Sequence, residues 1–402
     1  MKTLLRFEMK KIMRKRSTMV TFFILFALQI MLAVSGSLGS TYVDDVFVET
    51  HAERNRIDRE YGIAMSGRIM DDALLTEVQD AYKKVDWSKR EYLLTDTYQN
   101  EVRKYEDVMN RFRAWSWREN ILKKGNMTGE ALYDLREQSR ESMWEAYELS
   151  ESEKAYWQEK DAAVEMPFVY EYACGFEMLV DMNGGYMTCM LMTFFIAISM
   201  VTVFVDEHIR KTDQLILCAR YGKGKVYFAK ILAGSMVVFG VNLLFTVTAV
   251  AGRFYSYGAE GFEASLQSVL APWYSYPLTM GQTLLLMIGL LFLSSVMTAI
   301  FAMLLAEVLR NSIGAMAIIV GLLFAARLIT LPPSFGIVSQ AWYYFPINML
   351  KIDTGFLDLR LVNLFGLQLP TWQFAPILYV VLIVLMVCGG ETVYRKYQVS
   401  GR

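Results

Sequence analysis

Residues 186–205 read YMTCMLMTFFIAISMVTVFV and contain no charged side chain. A run of about 18 or more apolar residues is long enough to cross a bilayer as a helix. Five further stretches are similarly apolar, at 17–36, 226–251, 278–306, 312–331 and 374–390. Hydrophobic residues make up 54% of the 402 and cluster in these stretches. The sequence therefore predicts an all-α integral membrane protein with six transmembrane helices.

The first 16 residues form a basic segment ahead of the first apolar stretch. Leucine, isoleucine and methionine alternate there with seven Lys and Arg at helical spacing. Such a pattern predicts an amphipathic helix lying in the membrane interface; simple flanking positive charge is the alternative, and both can hold. The apolar stretch 17–36 exceeds the roughly 7–15 residues of a signal-peptide core. We interpret 1–36 as an interfacial helix followed by an uncleaved first span.

Basic residues near the span ends predict the orientation of the chain. Seven Lys and Arg lie in 1–16 and five in the segment 206–225, and the C-terminal tail adds Arg395, Lys396 and Arg402. The connections 252–277 and 332–373 carry only three, Arg253, Lys351 and Arg360. Because Lys and Arg concentrate on the cytoplasmic side, we expect both termini to be cytoplasmic and residues 37–185 to be extracellular.

Residues 37–185 contain most of the charge, with nineteen Lys and Arg against thirty-one Asp and Glu, a net charge of −12. Apolar side chains recur at heptad-like spacing at Tyr98, Val102, Tyr105, Met109 and Phe112. This period places one stripe on one helix face. We therefore expect a separable, helical extracellular domain, a hairpin or small bundle, whose acidic surface is mainly solvated.

A turn at 124–126 precedes the second helix expected in this domain. Thr128 suits its N-cap, and the helix is expected to run from Gly129 to about Ala163. The aromatic stripe of the domain is interpreted as core rather than as a ligand site; its tryptophans are Trp115, Trp117, Trp144 and Trp157.

A short polar segment, 206–225, separates the second and third apolar stretches. It begins with Asp206-Glu207, contains the apolar turn 215–217 and ends with basic residues and glycines. This segment is too polar to cross the membrane. Its exposed apolar side chains therefore need to be shielded from water, either by lipid or by the groove of a partner protein.

This segment resembles the cytoplasmic loop between spans two and three of ABC-2 type exporter permeases. In that family an F-x-x-E start leads into a short helix that docks on an ATPase, and a lysine follows near the next span. Phe204, Glu207, Thr212 and Lys230 match that pattern, whereas Lys211 stands where the family usually has glycine. The ending YRKYQV at 394–399 also resembles the type V exporter-like group of Gram-positive bacteria, whose members have a large domain between spans one and two.

The resemblance implies a permease subunit of an ATP-driven exporter in the cell membrane. It implies a second permease half, identical or homologous, and cytoplasmic ABC ATPase subunits that bind ATP and Mg²⁺. No cofactor is expected on this chain. Transported substrates differ across the family and include peptides, antibiotics, polysaccharide, lipid and sodium. The residues that the resemblance places at the ATPase contact are Glu207, Thr212, Leu215, Ile216, Leu217 and Arg220.

Three polar residues inside the apolar stretches are candidates for the membrane interface or the transport pathway. Arg327 and Lys230 lie near span ends, where snorkelling to headgroups is the simpler interpretation. Asn242 lies in mid-span and is favoured as a hydrogen bond between helices. His208 is expected at the surface, and Glu307 is expected to have no special role.

Motifs of several enzyme classes are absent from the sequence. There is no G-x-x-x-x-G-K-[ST], no H-E-x-x-H and no G-x-S-x-G, and the cysteines have no metal-binding spacing. The net charge of −1 gives no indication of a nucleic-acid partner. We expect a chain that does not hydrolyse ATP itself and holds no metal. The alternative from another class is a membrane sensor or scaffold whose extracellular domain binds a ligand.

Overall fold

A computed structural model describes residues 1–115, 128–181, 184–212 and 224–396. In the first half of the chain the elements are α1 (Lys2–Met13), α2 (Arg16–Val34), β1 (Ser40–Val43), β2 (Val46–Thr50), α3 (His51–Met65), α4 (Asp72–Tyr82), α5 (Glu106–Trp115), α6 (Gly129–Ala146), α7 (Glu151–Asp161) and α8 (Cys174–Val180). In the second half they are α9 (Gly184–Ser199), α10 (Thr202–Ile209), α11 (Lys225–Tyr257), α12 (Leu266–Val269), α13 (Met280–Leu309), α14 (Ser312–Leu328), α15 (Ile337–Tyr343), α16 (Ile352–Gly355), β3 (Leu361–Leu364), β4 (Leu367–Pro370) and α17 (Thr371–Lys396).

Five of the six predicted stretches form helices that are long and apolar enough to cross a membrane. The sixth, α14, has 17 residues. At about 1.5 Å per residue it reaches roughly 25 Å, somewhat less than a hydrocarbon core of about 30 Å. Helices α2 and α17 are buried over only 11% of their apolar windows, so most of their side chains need a hydrocarbon environment.

The two longest helices, α11 and α13, form the centre of the bundle. Helix α11 packs against α1, α2 and α13, and α13 packs in addition against α9, α14 and α17. The chain order gives the bundle two ends. We call the end that carries α1 the N-terminal end, and the end that carries residues 37–181 the distal end.

The second predicted span, 186–205, lies within the apolar helical segment Tyr186–Ile209, which is long enough to cross a membrane and has one break. Helix α9 ends at Ser199, and α10 starts at Thr202, so residues 200–201 interrupt the helix. The Thr202 hydroxyl donates to the Ser199 carbonyl over 2.9 Å. A local bond of this kind competes with the helical backbone ladder and favours a break. The break sets the direction of α10 and therefore the position of Glu207.

The distal region has a core of its own, built from residues between Met65 and Phe112 together with residues between Leu132 and Tyr170. A β-hairpin, β1–β2, follows α2, and α3, α4 and α5 come after it. All five members of the predicted apolar stripe are buried there, namely Tyr98, Val102, Tyr105, Met109 and Phe112. Residues 98–105 form π- and 3₁₀-helical turns, and regular α-helix begins only at Glu106.

The predicted helix from Gly129 to about Ala163 is two helices, so its expected length is wrong. Its start is confirmed, since the Thr128 hydroxyl accepts from the Ala131 amide over 3.2 Å. The chain breaks after Ala146, and Glu148 adopts a positive φ of 51°. Ser150 then opens α7 with a capping box that it completes with Glu153. The capping signal at Ser150 was in the sequence, and it outweighs the continuous apolar period.

The second half of the distal region also contributes to a core that it shares with the connections between spans. Trp144 and Trp157 are buried, as predicted, in one cluster with Tyr274 and Trp372. The Trp157 indole donates to the Leu359 carbonyl over 2.6 Å. Residues 37–181 therefore pack in part on the connections between spans, and the expected separable domain stays a prediction. Trp117 lies outside the described residues, and the side chain of Trp115 is not described.

Buried arginines fasten the distal region to the connections. Arg111 donates to the Val269 carbonyl over 2.9 Å and pairs with Glu177 over 2.8 Å. Arg136 donates to the Pro272 carbonyl over 2.7 Å and pairs with Asp161 over 2.5 Å. Each of the two guanidiniums binds a carbonyl on the connection after α11 and a carboxylate of the distal region.

The connection 332–373 contains α15, α16 and the antiparallel hairpin β3–β4. Arg360 and Asp358 form a buried pair at its centre, 2.9 Å apart, and Arg360 also donates to the Ser339 hydroxyl over 2.6 Å. These contacts fold the connection on itself before α17.

Candidate functional site

Three helices bring their charges together at the N-terminal end of the bundle. Lys230 of α11 is completely buried. Glu8 of α1 and Glu207 of α10 are almost completely buried. The Lys230 ammonium lies 2.5 Å from Glu207 Oε1 and 3.3 Å from Glu8 Oε2. It also donates to the Val203 carbonyl over 3.2 Å. All three ammonium protons therefore have an acceptor, as a buried lysine requires.

The spacing of α1 explains how it joins this cluster. Glu8, Lys11 and Lys15 are three and four residues apart, so they lie along one face of the helix. Lys11 reaches Glu207 Oε1 over 2.7 Å, and Lys15 reaches Asp206 over 2.7 Å. The same face buries Ile12 in one apolar cluster with Phe204. Helix α1 therefore docks on α10 and α11 by apolar and ionic contacts together.

Lys11 is the more accessible cation of the cluster. Burial lowers its pKa, but the hydrogen bond and charge of Glu207 and the charge of Glu8 outweigh burial, so that the pKa is raised overall. Lys11 therefore stays protonated at physiological pH. The cluster consists of two carboxylates held by two ammonium groups, which explains why its burial is tolerated.

An aromatic group lies beside the cluster and connects it to the last helix. The Phe204 ring lies 5.9 Å from Tyr227 and 5.7 Å from Tyr394 between centroids. The Lys230 ammonium lies 5.6 Å from the Phe204 centroid, within cation–π range. Tyr227 donates to the Val387 carbonyl over 2.8 Å. Phe204 and Glu207, the two ends of the F-x-x-E pattern, thus contact the same lysine.

His208 and Glu307 form a second contact at this end. His208 Nε2 lies 2.8 Å from Glu307 Oε2, and both side chains are largely buried. The expected surface position of His208 is therefore wrong, and Glu307 has a partner where none was expected. The contact joins α10 to the end of α13.

Other predicted site residues lie in different places. The prediction that Lys230 snorkels to the headgroups is wrong, since its ammonium group points into the bundle. The Thr212 hydroxyl donates to the Glu207 carbonyl over 3.4 Å at the end of α10. Leu215, Ile216, Leu217 and Arg220 lie outside the described residues and stay predictions.

The two remaining candidates lie away from the cluster. Asn242 is buried and donates to Ser295 over 3.3 Å and to the Leu291 carbonyl over 3.4 Å, between α11 and α13. Arg327 is exposed at the other end of the bundle, and its guanidinium lies over the Tyr186 ring. Neither residue contacts Lys230, so the structure separates the candidates into three places.

Glu8 is the member of the cluster that the sequence analysis missed. It is the one acidic residue among the seven basic residues of 1–16. A helical projection of 1–16 would have shown Glu8 as an isolated acid on the face opposite most of the cations. Without knowledge of its partner, Glu8 is interpreted as part of the polar face of an amphipathic helix.

The chemistry available at this end is electrostatic contact between helices. Within the ranges that the structure describes, no three His, Cys, Asp or Glu side chains are grouped closely enough to hold a metal ion. Lys230, Glu207 and Glu8 satisfy one another, which gives a structural coupling between helices and no free nucleophile.

Comparison with known proteins identifies the family. Residues 3–389, nearly the whole chain, match the family described as ABC-2 family transporter protein. No curated protein and no solved structure matches the chain. The match covers α1, the charge cluster and nearly all of the described helices. The chain therefore belongs to the ABC-2 transporter family as its membrane component, a permease without ATPase activity of its own.

Proposed function

We propose that this chain is the permease half of an ATP-driven exporter and that the buried cluster of Glu8, Glu207 and Lys230 couples it to a separate ATPase. The observation that carries this proposal is the position of Lys230. It lies on α11, the central helix, and holds Glu207 of α10 and Glu8 of α1 at once. Movement of α10 is therefore transmitted to the centre of the bundle.

The segment after α10 is the proposed docking site. The turn Leu215-Ile216-Leu217 and Arg220 would contact a groove of the ATPase, and Thr212 would hold the start of that segment against the Glu207 carbonyl. Because α10 immediately precedes this segment, a displacement of the docked turn changes the distance between Glu207 and Lys230. ATP and Mg²⁺ would be bound by the partner chain.

The basic residues support the proposed topology. Residues 1–16 and the segment 206–225 carry most of the Lys and Arg near span ends, and α1 contacts Asp206 and Glu207 of α10 at the N-terminal end of the bundle. By the positive-inside rule this end is cytoplasmic and residues 37–185 are extracellular. Such an orientation in the cell membrane presents the segment 206–225 to an ATPase in the cytoplasm.

A second permease half, the same or homologous, completes the proposed transporter. Helices α2 and α17 keep large apolar surfaces, which a bilayer and a second half would cover. We propose outward transport of a substrate, as in the exporters that the chain resembles. Family membership favours this function over that of a sensor or scaffold.

The test separates docking from coupling with two variants in the full-length chain. Tagged permease is purified from native membranes, and the recovered P-loop ATPase and its ATP turnover are measured. Leu215→Asp places a charge in the docking groove, so we expect loss of most of the ATPase from the purified complex. Glu207→Gln leaves the docking turn intact, so we expect normal ATPase recovery and reduced transport-linked turnover.

The control is Lys10→Gln, an exposed cation on α1. It should change neither recovery nor turnover. Equal ATPase recovery with Leu215→Asp and wild type, at matched protein levels, would show that the segment contacts only lipid. Normal turnover with Glu207→Gln would refute the coupling role of the cluster.

A further inference from the structure

A cavity of about 520 Å³ lies in the distal region, beside the hairpin β1–β2. Three elements form its walls: Ser40, Thr41 and Tyr42 of β1, the first turn of α3, and the 3₁₀ turn Arg90–Leu94. Ligand sites in proteins commonly have volumes of about 300–1,000 Å³. The cavity is therefore large enough for a small organic or inorganic ion, and it is separate from the charge cluster at the N-terminal end.

The walls of this cavity carry three basic side chains and no carboxylate. His51 and Arg54 come from α3, and Arg90 comes from the 3₁₀ turn. The surrounding residues 37–185 have a net charge of −12, so this grouping is a local exception. His51 and Arg54 also belong to the first turn of α3, where the helix dipole favours negative charge. The cavity therefore favours an anion.

The two guanidinium groups have donors that no other group uses. Among the described residues, Arg90 has neither a hydrogen bond nor an ion pair from its side chain. The carboxylates nearest to the Arg54 guanidinium are those of Asp58, at 3.5 Å, and Glu106, at 3.9 Å. Both distances exceed those of good N–H···O bonds. The N–H groups of both arginines are therefore available to a ligand.

Hydroxyl groups add further donors to the same walls. Ser40, Thr41, Tyr42 and Tyr92 all line the cavity. Within the part of the chain that the structure describes, none of these four hydroxyls forms a hydrogen bond. A hydroxyl can donate to an anionic oxygen, and its proton rotates to suit. Two guanidiniums and four hydroxyls thus surround one cavity without a carboxylate to accept from them.

The walls are held in place by contacts outside the cavity. His51 Nδ1 lies 2.7 Å from the Leu38 carbonyl, and the His51 amide donates to the Gly39 carbonyl over 3.0 Å. Gly39 has a φ of 104°, and a Cβ there would lie 3.1 Å from the imidazole ring. The Tyr92 ring lies 4.7 Å from that of Trp87 between centroids. A site with fixed walls loses little entropy when a ligand binds.

The carboxylates closest to the basic side chains lie outside this cavity. Asp58 and Glu106 line a neighbouring cavity, which shares Arg54 with this one. Glu53 and Glu91 are exposed and line neither cavity. Asp58 and Glu106 therefore balance part of the charge of Arg54 without occupying the space between Arg54 and Arg90.

We propose that this cavity binds a phosphate-bearing anion. Phosphate oxygens accept paired hydrogen bonds from guanidinium groups, and a tetrahedral phosphate has enough oxygens to contact Arg54, Arg90 and the wall hydroxyls together. The phosphate can belong to a soluble anion or to a lipid headgroup, because β1 begins six residues after the end of the span α2. This site is independent of the ATPase coupling proposed above.

The test uses the full-length permease in dodecyl maltoside, a detergent without phosphate, and inorganic pyrophosphate as the probe. Isothermal titration calorimetry at constant ionic strength should show saturable binding. Arg90→Gln removes an unpaired guanidinium, so the affinity should fall about tenfold with unchanged thermal stability. Lys89→Gln removes the same charge at the adjacent exposed position, which does not line the cavity, and should leave the affinity unchanged.

Two further measurements examine the chemistry of the site. Tyr92→Phe keeps the ring beside Trp87 and removes one hydroxyl donor, so the affinity for pyrophosphate should fall severalfold. Citrate, an anion with carboxylates only, should not displace pyrophosphate at equal concentration. Dihexanoyl phosphatidylglycerol, below its micelle concentration, separates the two sources of phosphate. Displacement of pyrophosphate by this lipid would identify a headgroup as the ligand, and the absence of displacement would identify a soluble phosphate.

Three results would overturn the proposal. Absence of saturable pyrophosphate binding by the wild type would show that the cavity is not a phosphate site. Equal losses with Lys89→Gln and Arg90→Gln would mean that only the general charge of the region attracts the anion. Displacement by citrate as effective as that by unlabelled pyrophosphate would show that the cavity does not select phosphate.

Discussion

The two ends of the bundle are held together by different cations. At the N-terminal end, Lys230 holds two carboxylates from two helices, and most of its contacts are ionic. At the distal end, Arg111 and Arg136 bind a backbone carbonyl and a carboxylate each. An ammonium is a compact point charge, whereas a guanidinium is a rigid fork. A lysine contact can therefore open and close with small helix movements, while an arginine fork fixes one geometry.

We infer from this difference that the N-terminal end moves more readily than the distal end. The N-terminal cluster joins three helices and lies directly before the proposed docking segment. The distal arginines join a helical region to the connections between spans. We infer that changes in the cluster affect coupling to the ATPase, whereas changes in the distal arginines affect folding of the distal region only.

The largest effect is expected from Lys230→Met, which leaves Glu8 and Glu207 in a buried site with Lys11 as the remaining cation. Breaking a buried ion pair by removing one partner costs about 3–5 kcal/mol. We expect a marked loss of thermal stability in detergent and protease cleavage near α1. Lys10→Met, at an exposed position on α1, is the control. Equal stability of the two variants would contradict the buried network.

The second prediction concerns the distal end. Arg111→Met leaves Glu177 and the Val269 carbonyl without their donor, at a cost of about 3 kcal/mol. We expect faster hydrogen exchange in α5 and α12, and unchanged ATP turnover of the assembled transporter. Arg113→Met, an exposed position on the same helix, should leave both unchanged. Reduced turnover with Arg111→Met would remove the distinction between the two ends.

A smaller effect is expected from Lys15→Ala at the edge of the cluster. The pair with Asp206 is partly exposed on both sides, so its loss should cost about 0.5–1 kcal/mol. Salt screens exposed pairs, and the stability difference from wild type should shrink as the salt concentration rises. Thermal unfolding at low and high salt measures it. A difference that is large and independent of salt would place this pair in the buried network.

The smallest effect is a pH dependence confined to the distal end. A hydrogen bond from Arg68, with another from Tyr105, lowers the pKa of Glu77 to about 2. A carboxyl with a depressed folded-state pKa contributes stability above its unfolded pKa of about 4.3, and this is lost as pH falls toward 2. The side chain is 42% exposed, so solvent reduces the effect. Glu77→Gln should flatten this part of the acid unfolding curve, and an unchanged curve would exclude the contribution.

The apolar spans were predictable because their length and composition are local properties. The six stretches correspond to helices within a few residues, and Thr128 marks a helix start as its capping chemistry predicts. The break at 200–201 was not predicted, because Ser199 and Thr202 are compatible with a continuous apolar helix. The shared core around Trp157 depends on contacts with residues about two hundred positions away, such as Leu359, which no local pattern shows.

The candidate site was predicted in part. The pattern of Phe204, Glu207 and Lys230 picked residues that the structure brings into contact. Their partner Glu8 was missed, since its role depends on how α1 docks on α11, more than two hundred positions away. His208 was misplaced for the same reason, because the position of Glu307 is set by the packing of α10 on α13.

The most direct test of the coupling role is a double-mutant cycle between Glu207 and Lys230 in the complex with its ATPase. The variants are Glu207→Gln, Lys230→Met and both together, and the readout is transport-linked ATP turnover at matched ATPase recovery. Each single change unbalances the cluster, so we expect turnover to fall about tenfold, the equivalent of about 1.4 kcal/mol. The double change leaves Glu8 with Lys11, 4.0 Å apart, so turnover should be no lower than in the worse single variant. Multiplicative losses in the double variant would show that the two residues act independently and would contradict the account.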